Sequence, residues 1–151
     1  MTHEEICTYE VCRLAKEKGF NSKVYNYYQA TKHYCETLRG IELHSVYWRL
    51  ETDNCYNRYN KGSEDIVSAP TQSLLQRWLR EEKGIIVEVI AQPTCSTPKK
   101  NCYWWSVKQN SDGFCYQYEE CSYILYSDEG YFYSYELALE DALAYSLKNL
   151  V

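Results

Sequence analysis

Eight cysteines and three histidines supply the residue types from which a metal centre or a thiol nucleophile is built. Zinc takes a tetrahedral set of Cys and His ligands, usually from closely spaced pairs. The chain has no C-x₂-C or C-x₄-C pair: Cys95 and Cys102 lie seven apart, Cys115 and Cys121 six apart. On an extended strand the second pair would be separated by roughly 20 Å, too far for one ion to bridge. His3 and Cys7 share a side if their segment is helical, and His33 and Cys35 share a side if theirs is extended. None of these pairs makes a ligand set alone, so no metal ligand is assigned, and packed or hydrogen-bonded thiols are the expectation.

Catalytic signatures are also missing. There is no nucleophile elbow, no phosphate-binding glycine loop, no dinucleotide-binding G-x-G-x-x-G and no H-E-x-x-H helix. The sequence therefore names no cofactor and no cofactor-binding residue. Glu119 and Glu120, adjacent on a regular strand, point to opposite faces and make a poor acid/base pair. A thiol–imidazole pair needs no proximity in sequence, and Cys12, Cys35 or Cys55 could meet His33 or His44 in the fold. Nothing selects among them, and the catalytic residues stay unassigned.

Aromatic content is the more informative feature. Seventeen Tyr and four Trp exceed what core filling requires, and their rings, apolar with a polar tip, suit a partly buried contact surface. Tyr25, Tyr27, Tyr28, Tyr34, Tyr56 and Tyr59 cluster in a stretch of weak periodicity and form the expected interaction surface. Tyr103, Trp104, Trp105, Tyr116, Tyr118, Tyr123 and Tyr126 fall on expected strands. Aromatic rings also stack on bases, and Arg39, Arg49, Arg58 and Lys61 lie nearby. Glu36, Glu42, Glu51, Asp53, Glu64 and Asp65 dilute that charge, the net charge is −5, and nucleic acid is not an expected partner.

The elements that position these residues follow from composition and period. With 45% hydrophobic and 25% charged residues in 151, the expectation is a single α+β domain spanning residues 1 to 151, about three helices on a mixed or antiparallel sheet of about four strands. No run approaches the roughly 20 apolar residues of a membrane span. The opening Met1-Thr2-His3-Glu4-Glu5 lacks the basic start and apolar stretch of a secretory signal. A cytoplasmic protein with reduced thiols is the expectation.

Along the chain, Thr2 and Glu5 have capping-box spacing before a helix over residues 3 to 18, with Cys7, Val11, Leu14, Ala15 and Lys18 on one side and Gly19-Phe20 as its stop. The stretch 21–62 is aromatic-rich and weakly patterned. It holds a short helix around Lys32 to Arg39 and a strand from Leu43 to Leu50 whose inward set is His44, Val46, Trp48 and Leu50, then a loop from Glu51 to Asp65. Ser68 and Pro70 read as the cap and first turn of a helix carrying Leu74, Leu75, Trp78 and Leu79, stopped by Gly84. Ile85 to Pro93, Cys102 to Gln109 and Cys115 to Leu125 read as an antiparallel meander, bent at Asn110-Ser111-Asp112-Gly113. Asp128-Glu129-Gly130 makes a turn. Ser134 then caps a closing helix whose inner face is Leu139, Ala142, Leu143, Ser146, Leu147 and Leu150. The expected core is Leu14, Trp48, Leu75, Trp78, Leu79, Val87, Val89, Trp105, Leu143 and Leu147.

The segment from Ser68-Ala69-Pro70-Thr71-Gln72 through Trp78-Leu79-Arg80-Glu81 to Ile85 resembles a motif of small uncharacterised proteins of gut Bacteroidales and of their mobile elements or phages. The Met1 to Phe20 opening and the Tyr135 to Leu143 ending are similar to those proteins too. The resemblance implies a bacterial or phage origin and an α+β fold. It implies no reaction and no catalytic residue.

Together these readings point to a non-enzymatic protein-binding or homo-association domain, its partner a second copy or an unidentified protein, with no membrane involved. A small cysteine-dependent enzyme is the alternative, with a structural metal-binding or single-stranded nucleic-acid-binding domain behind it.

Overall fold

The computed structural model describes residues 4–32, 39–45, 66–93, 101–111, 114–118 and 132–151. Its class is α+β, with helices α1 (Tyr9–Glu17), α2 (Gln72–Lys83) and α3 (Tyr135–Asn149) and antiparallel strands β1 (Asn26–Lys32), β2 (Arg39–Ser45), β3 (Ile66–Ser68), β4 (Ile85–Pro93), β5 (Asn101–Ser111) and β6 (Phe114–Tyr118). The strands form two three-stranded sheets, ordered β2-β1-β3 and β4-β5-β6. The chain divides into two compact units, Met1–Thr71 and Gln72–Val151, each built on one of the sheets.

In the first unit, α1 starts at Tyr9, six residues after the expected position, because the chain before it is engaged elsewhere. Ile6 bridges Thr71, and the Cys7 amide donates to the Pro70 carbonyl at 3.0 Å, which holds both residues extended. Thr2, half of the expected capping box, lies outside the described residues. The buried face is Val11, Cys12 and Ala15, with Leu14 only half-buried, so the inward stripe is rotated from the expected one. The stop is as expected. Gly19 takes φ 90°, its amide donates to the Lys16 carbonyl and the Phe20 amide to the Ala15 carbonyl, and Phe20 is buried. This is the paired hydrogen bonding of a Schellman ending.

β1 is the central strand of the first sheet, paired with β2 from Asn26↔Ser45 to Lys32↔Arg39 and with β3 from Tyr27↔Ser68 to Gln29↔Ile66. Lys32 and Arg39 are therefore paired strand ends and not the limits of a short helix. Residues 33–38 and 46–65, with Trp48 and the expected loop, lie outside the described residues. Ser68 does not cap a helix: it is buried in β3, the Ala69 amide donates to the Asn26 carbonyl, and the helix waits until Gln72. Strand pairing through residue 69 and the bridge at Thr71 hold that backbone extended, which overrides the local Ser-Pro signal. α1 packs on β3, where the Lys16 ammonium donates to the Ile66 carbonyl at 2.8 Å.

The second unit is the meander and its two helices. β4 and β5 pair from Ile85↔Gln109 to Pro93↔Asn101, and β5 and β6 close at Ser111↔Phe114. Asp112 and Gly113 fall between that last pair in sequence. Residues 119–131, with Glu119, Glu120, Cys121 and the expected Asp128-Glu129-Gly130 turn, lie outside the described residues. α2 and α3 pack on each other and on the sheet. Leu75, Trp78 and Leu79 of α2, Val87 of β4, Trp105 and Val107 of β5, and Leu139, Leu143 and Leu147 of α3 are buried, while Val89 is only half-buried. Gly84, at φ 65°, ends α2 directly before β4. The Gln76 amide donates to the Val87 carbonyl at 2.8 Å, satisfying a backbone acceptor on β4.

Candidate functional site

Among the described residues of the second unit, the exposed large apolar side chains are Ile90 on β4 and Tyr133, Tyr135 and Leu137 around the start of α3. Phe132 and Tyr103 exchange both backbone hydrogen bonds, at 2.8 and 2.9 Å, and Phe132 is buried. That pairing anchors the chain to β5 immediately before the helix, and Ser134 caps it. The Ser134 hydroxyl accepts from the Leu137 amide at 3.2 Å and donates to the Glu136 carboxylate at 2.8 Å. Its extended backbone (φ −137°, ψ 147°) is the ordinary conformation of an N-cap residue. Hydrogen bonding to its own backbone amide, and then to Ser134, holds the Glu136 carboxyl below the usual carboxylate range, against a small opposing effect of burial.

Two further contacts set the rotation of the helix. Gln72, itself buried, donates from Nε2 to the Glu136 carbonyl at 3.1 Å and to the Glu140 carboxylate at 2.8 Å. The Trp105 indole, buried beneath α3, donates to the Asp141 carboxylate at 2.8 Å and lies against the Tyr145 ring at 5.0 Å between centroids. With Ala138, Leu139, Ala142 and Leu143 turned inward, Leu137 is left 60% exposed; Tyr133, ahead of the cap, is 58% exposed and Tyr135 41%. The Tyr135 ring stands edge-on to Tyr103, 6.2 Å between centroids. The three exposed side chains do not share one face: Tyr133 precedes the cap, and Tyr135 and Leu137, two residues apart on the helix, lie on different sides of it. The sequence carried a signal for the exposed leucine that the aromatic count passed over: Leu137 falls off the inward stripe of α3, on a helix turn with no other reason to be apolar.

The expected tyrosine surface is distributed differently. Tyr25 is exposed, whereas Tyr27 and Tyr28 are half-buried and, as neighbours on β1, lie on opposite faces of the sheet. The Tyr28 hydroxyl donates to the Cys7 carbonyl at 2.8 Å and its ring meets Tyr9 edge-on, so Tyr28 packs its own unit. Register places Leu43, Tyr28 and Val67 in one row across β2, β1 and β3, running from exposed Leu43 to buried Val67. Tyr34, Tyr56 and Tyr59 lie outside the described residues.

Three of the thiols are packed in the interior. Cys7, Cys12 and Cys102 are buried, and the Cys12 thiol donates to the Cys7 carbonyl at 3.5 Å. No group of three or more His, Cys, Asp or Glu side chains among the described residues is placed to hold a metal ion. Cys35, Cys55, Cys95, His3 and His33 lie outside them. No helix among the described residues is long and apolar enough to cross a membrane. No protein-family model matches the chain, nor does any curated protein or solved structure.

Proposed function

We propose that the chain is a non-enzymatic protein-interaction domain that works by contact through exposed tyrosine and leucine side chains, its partner a second copy or another protein. The observation that carries this reading is the exposure of Leu137 on the first turn of α3, a capped and anchored helix, with Tyr133 exposed just ahead of the cap. Large apolar side chains held on a rigid element are what contact surfaces are made of, because their burial on binding costs little further ordering. Tyr25, exposed in the first unit, belongs to the same reading.

The test compares the intact protein with its Leu137→Ser variant. Light scattering on a sizing column reads self-association, and quantitative capture from a cell extract reads an external partner. Either a dimer or a specific captured protein is expected for the parent, lost in the variant. A monomer that captures the same proteins as Leu137→Ser would overturn the proposal.

A further inference from the structure

Facing residues of an antiparallel strand pair alternate between exchanging both backbone hydrogen bonds and exchanging neither. Tyr103, opposite Ala91, uses its amide and its carbonyl on Phe132, on the side of β5 away from β4. Val87, opposite Val107, directs its carbonyl at the Gln76 amide and so away from β5. Both observations assign the same alternation: Val87, Val89 and Ala91 turn their backbone groups outward from the sheet, while Glu88 and Ile90 turn theirs toward β5. Pro93, which has no amide to donate, falls in the outward set, where the ladder needs none. Among the described residues no strand lies beyond β4. Ile90 is 37% exposed and Ala91 is exposed, so this stretch of edge is open to solvent.

We propose that a second copy of this chain pairs with that edge, β4 against β4, antiparallel about a two-fold axis at Ile90. Centred there, Val89 of each copy faces Ala91 of the other, and the two exchange both of their outward hydrogen bonds. Val87 faces Pro93. The Val87 amide donates to the Pro93 carbonyl, while the Val87 carbonyl, which finds no amide on proline, already accepts from Gln76. Donors and acceptors thus match from residue 87 to residue 93, and exposed Ile90 meets its own copy. Charge selects the same register. Glu88, paired with Lys108 at 2.6 Å, comes opposite uncharged Gln92, whereas an axis at Glu88 would set two carboxylates opposite each other. An axis at Ala91 would place Val89 against Pro93 and leave the Val89 carbonyl without a donor. An axis at Val89 would bring the Ala91 amide to a Val87 carbonyl that Gln76 already holds. A patch that complements itself about one axis is what a two-fold interface requires, which commits the edge to a second copy. The inference is independent of the surface at α3. Strand pairing engages far fewer residues than the roughly 20–30 per side of a stable interface, so the dimer is reversible.

The experiment reads mass by light scattering across a concentration series of the full chain, beside Ala91→Pro, Ile90→Lys and Leu137→Ser. Ala91→Pro removes one outward amide and leaves the bonds between β4 and β5 in place, so its circular dichroism should match the parent's. A concentration-dependent dimer is expected for the parent and for Leu137→Ser, and a monomer for Ala91→Pro and Ile90→Lys. Hydrogen exchange locates the contact without any substitution: the Val89 and Ala91 amides, outward in a monomer, should exchange more slowly as concentration rises. A parent that is monomeric at every concentration would overturn the proposal. So would a dimer that persists in either edge variant while folded, or Val89 and Ala91 amides whose exchange ignores concentration. A dimer kept in the edge variants and lost in Leu137→Ser would overturn it as well and place the contact at α3.

Discussion

The indole nitrogen of Trp105 donates to the carboxylate of Asp141 at 2.8 Å, tying the middle strand of the second sheet to the second turn of α3. Trp105 is 3% exposed, so this hydrogen bond satisfies a donor that water cannot reach freely. The same contact sets which side of α3 faces the sheet, and so which side carries Leu137 outward.

Removing the acceptor leaves the indole unsatisfied. Asp141→Ala should cost about 1–3 kcal/mol, while Asp141→Asn, which keeps an oxygen acceptor, should cost less. Urea denaturation of the two variants checks the difference. Equal losses would show that the charge, and not the acceptor, matters at this position.

The cap of α3 predicts a pH response with a definite sign. The Glu136 carboxyl is held below its ordinary range in the folded chain, so its contribution to stability is complete above the unfolded carboxylate value and is lost as pH falls through the lower, folded value. Glu136→Gln should flatten that part of the acid limb. Ser134→Ala should cost about 1 kcal/mol and move the Glu136 titration back toward the ordinary range, read by NMR of the side-chain carboxyl.

Gly19 ends α1 at φ 90°, and a Cβ built there meets nothing within 4 Å. Any cost of Gly19→Ala is therefore backbone strain and not a clash. About 1 kcal/mol of destabilisation is expected from the left-handed conformation. Gly19→Asn, whose residue type tolerates that region, should recover part of the loss, as measured by thermal or denaturant unfolding.

Burial predicts the behaviour of three thiols. Cys7 and Cys12 are 0% exposed and Cys102 is 3% exposed, so a thiol reagent should leave all three unmodified in the folded protein and label them only after denaturation. Peptide mass spectrometry resolves the sites. Rapid labelling of Cys12 in the native state would contradict its place on the buried face of α1 and revive the thiol-nucleophile reading.

Much of the second unit was legible in the sequence. Leu75, Trp78 and Leu79 recur at helical spacing, Gly84 stops α2, the β-branched run from Ile85 makes β4, and Ser134 caps α3. These are local signals, decided by period and by backbone preference within a few residues. The first unit was less legible because its signals compete. Ser68 and Pro70 have the chemistry of a helix start, and Glu5 that of a helix first turn, yet both segments are drawn into pairing across the chain: β3 takes Ser68, and Pro70 and Thr71 bond to Cys7 and Ile6.

The candidate surface divides in the same way. Composition alone showed that the chain is rich in Tyr and Trp, but that Tyr27 and Tyr28 face opposite sides needed β1, a strand that the weak period of 21–62 did not announce. Which aromatic and apolar residues stay in water was settled only in three dimensions. Tyr28 finds a backbone acceptor at Cys7, Trp105 finds Asp141, and Gln72 holds the first turn of α3. A side chain's own chemistry states what it can bond to, but partners distant in sequence decide which bonds it makes, and hence that Leu137 points away from the core.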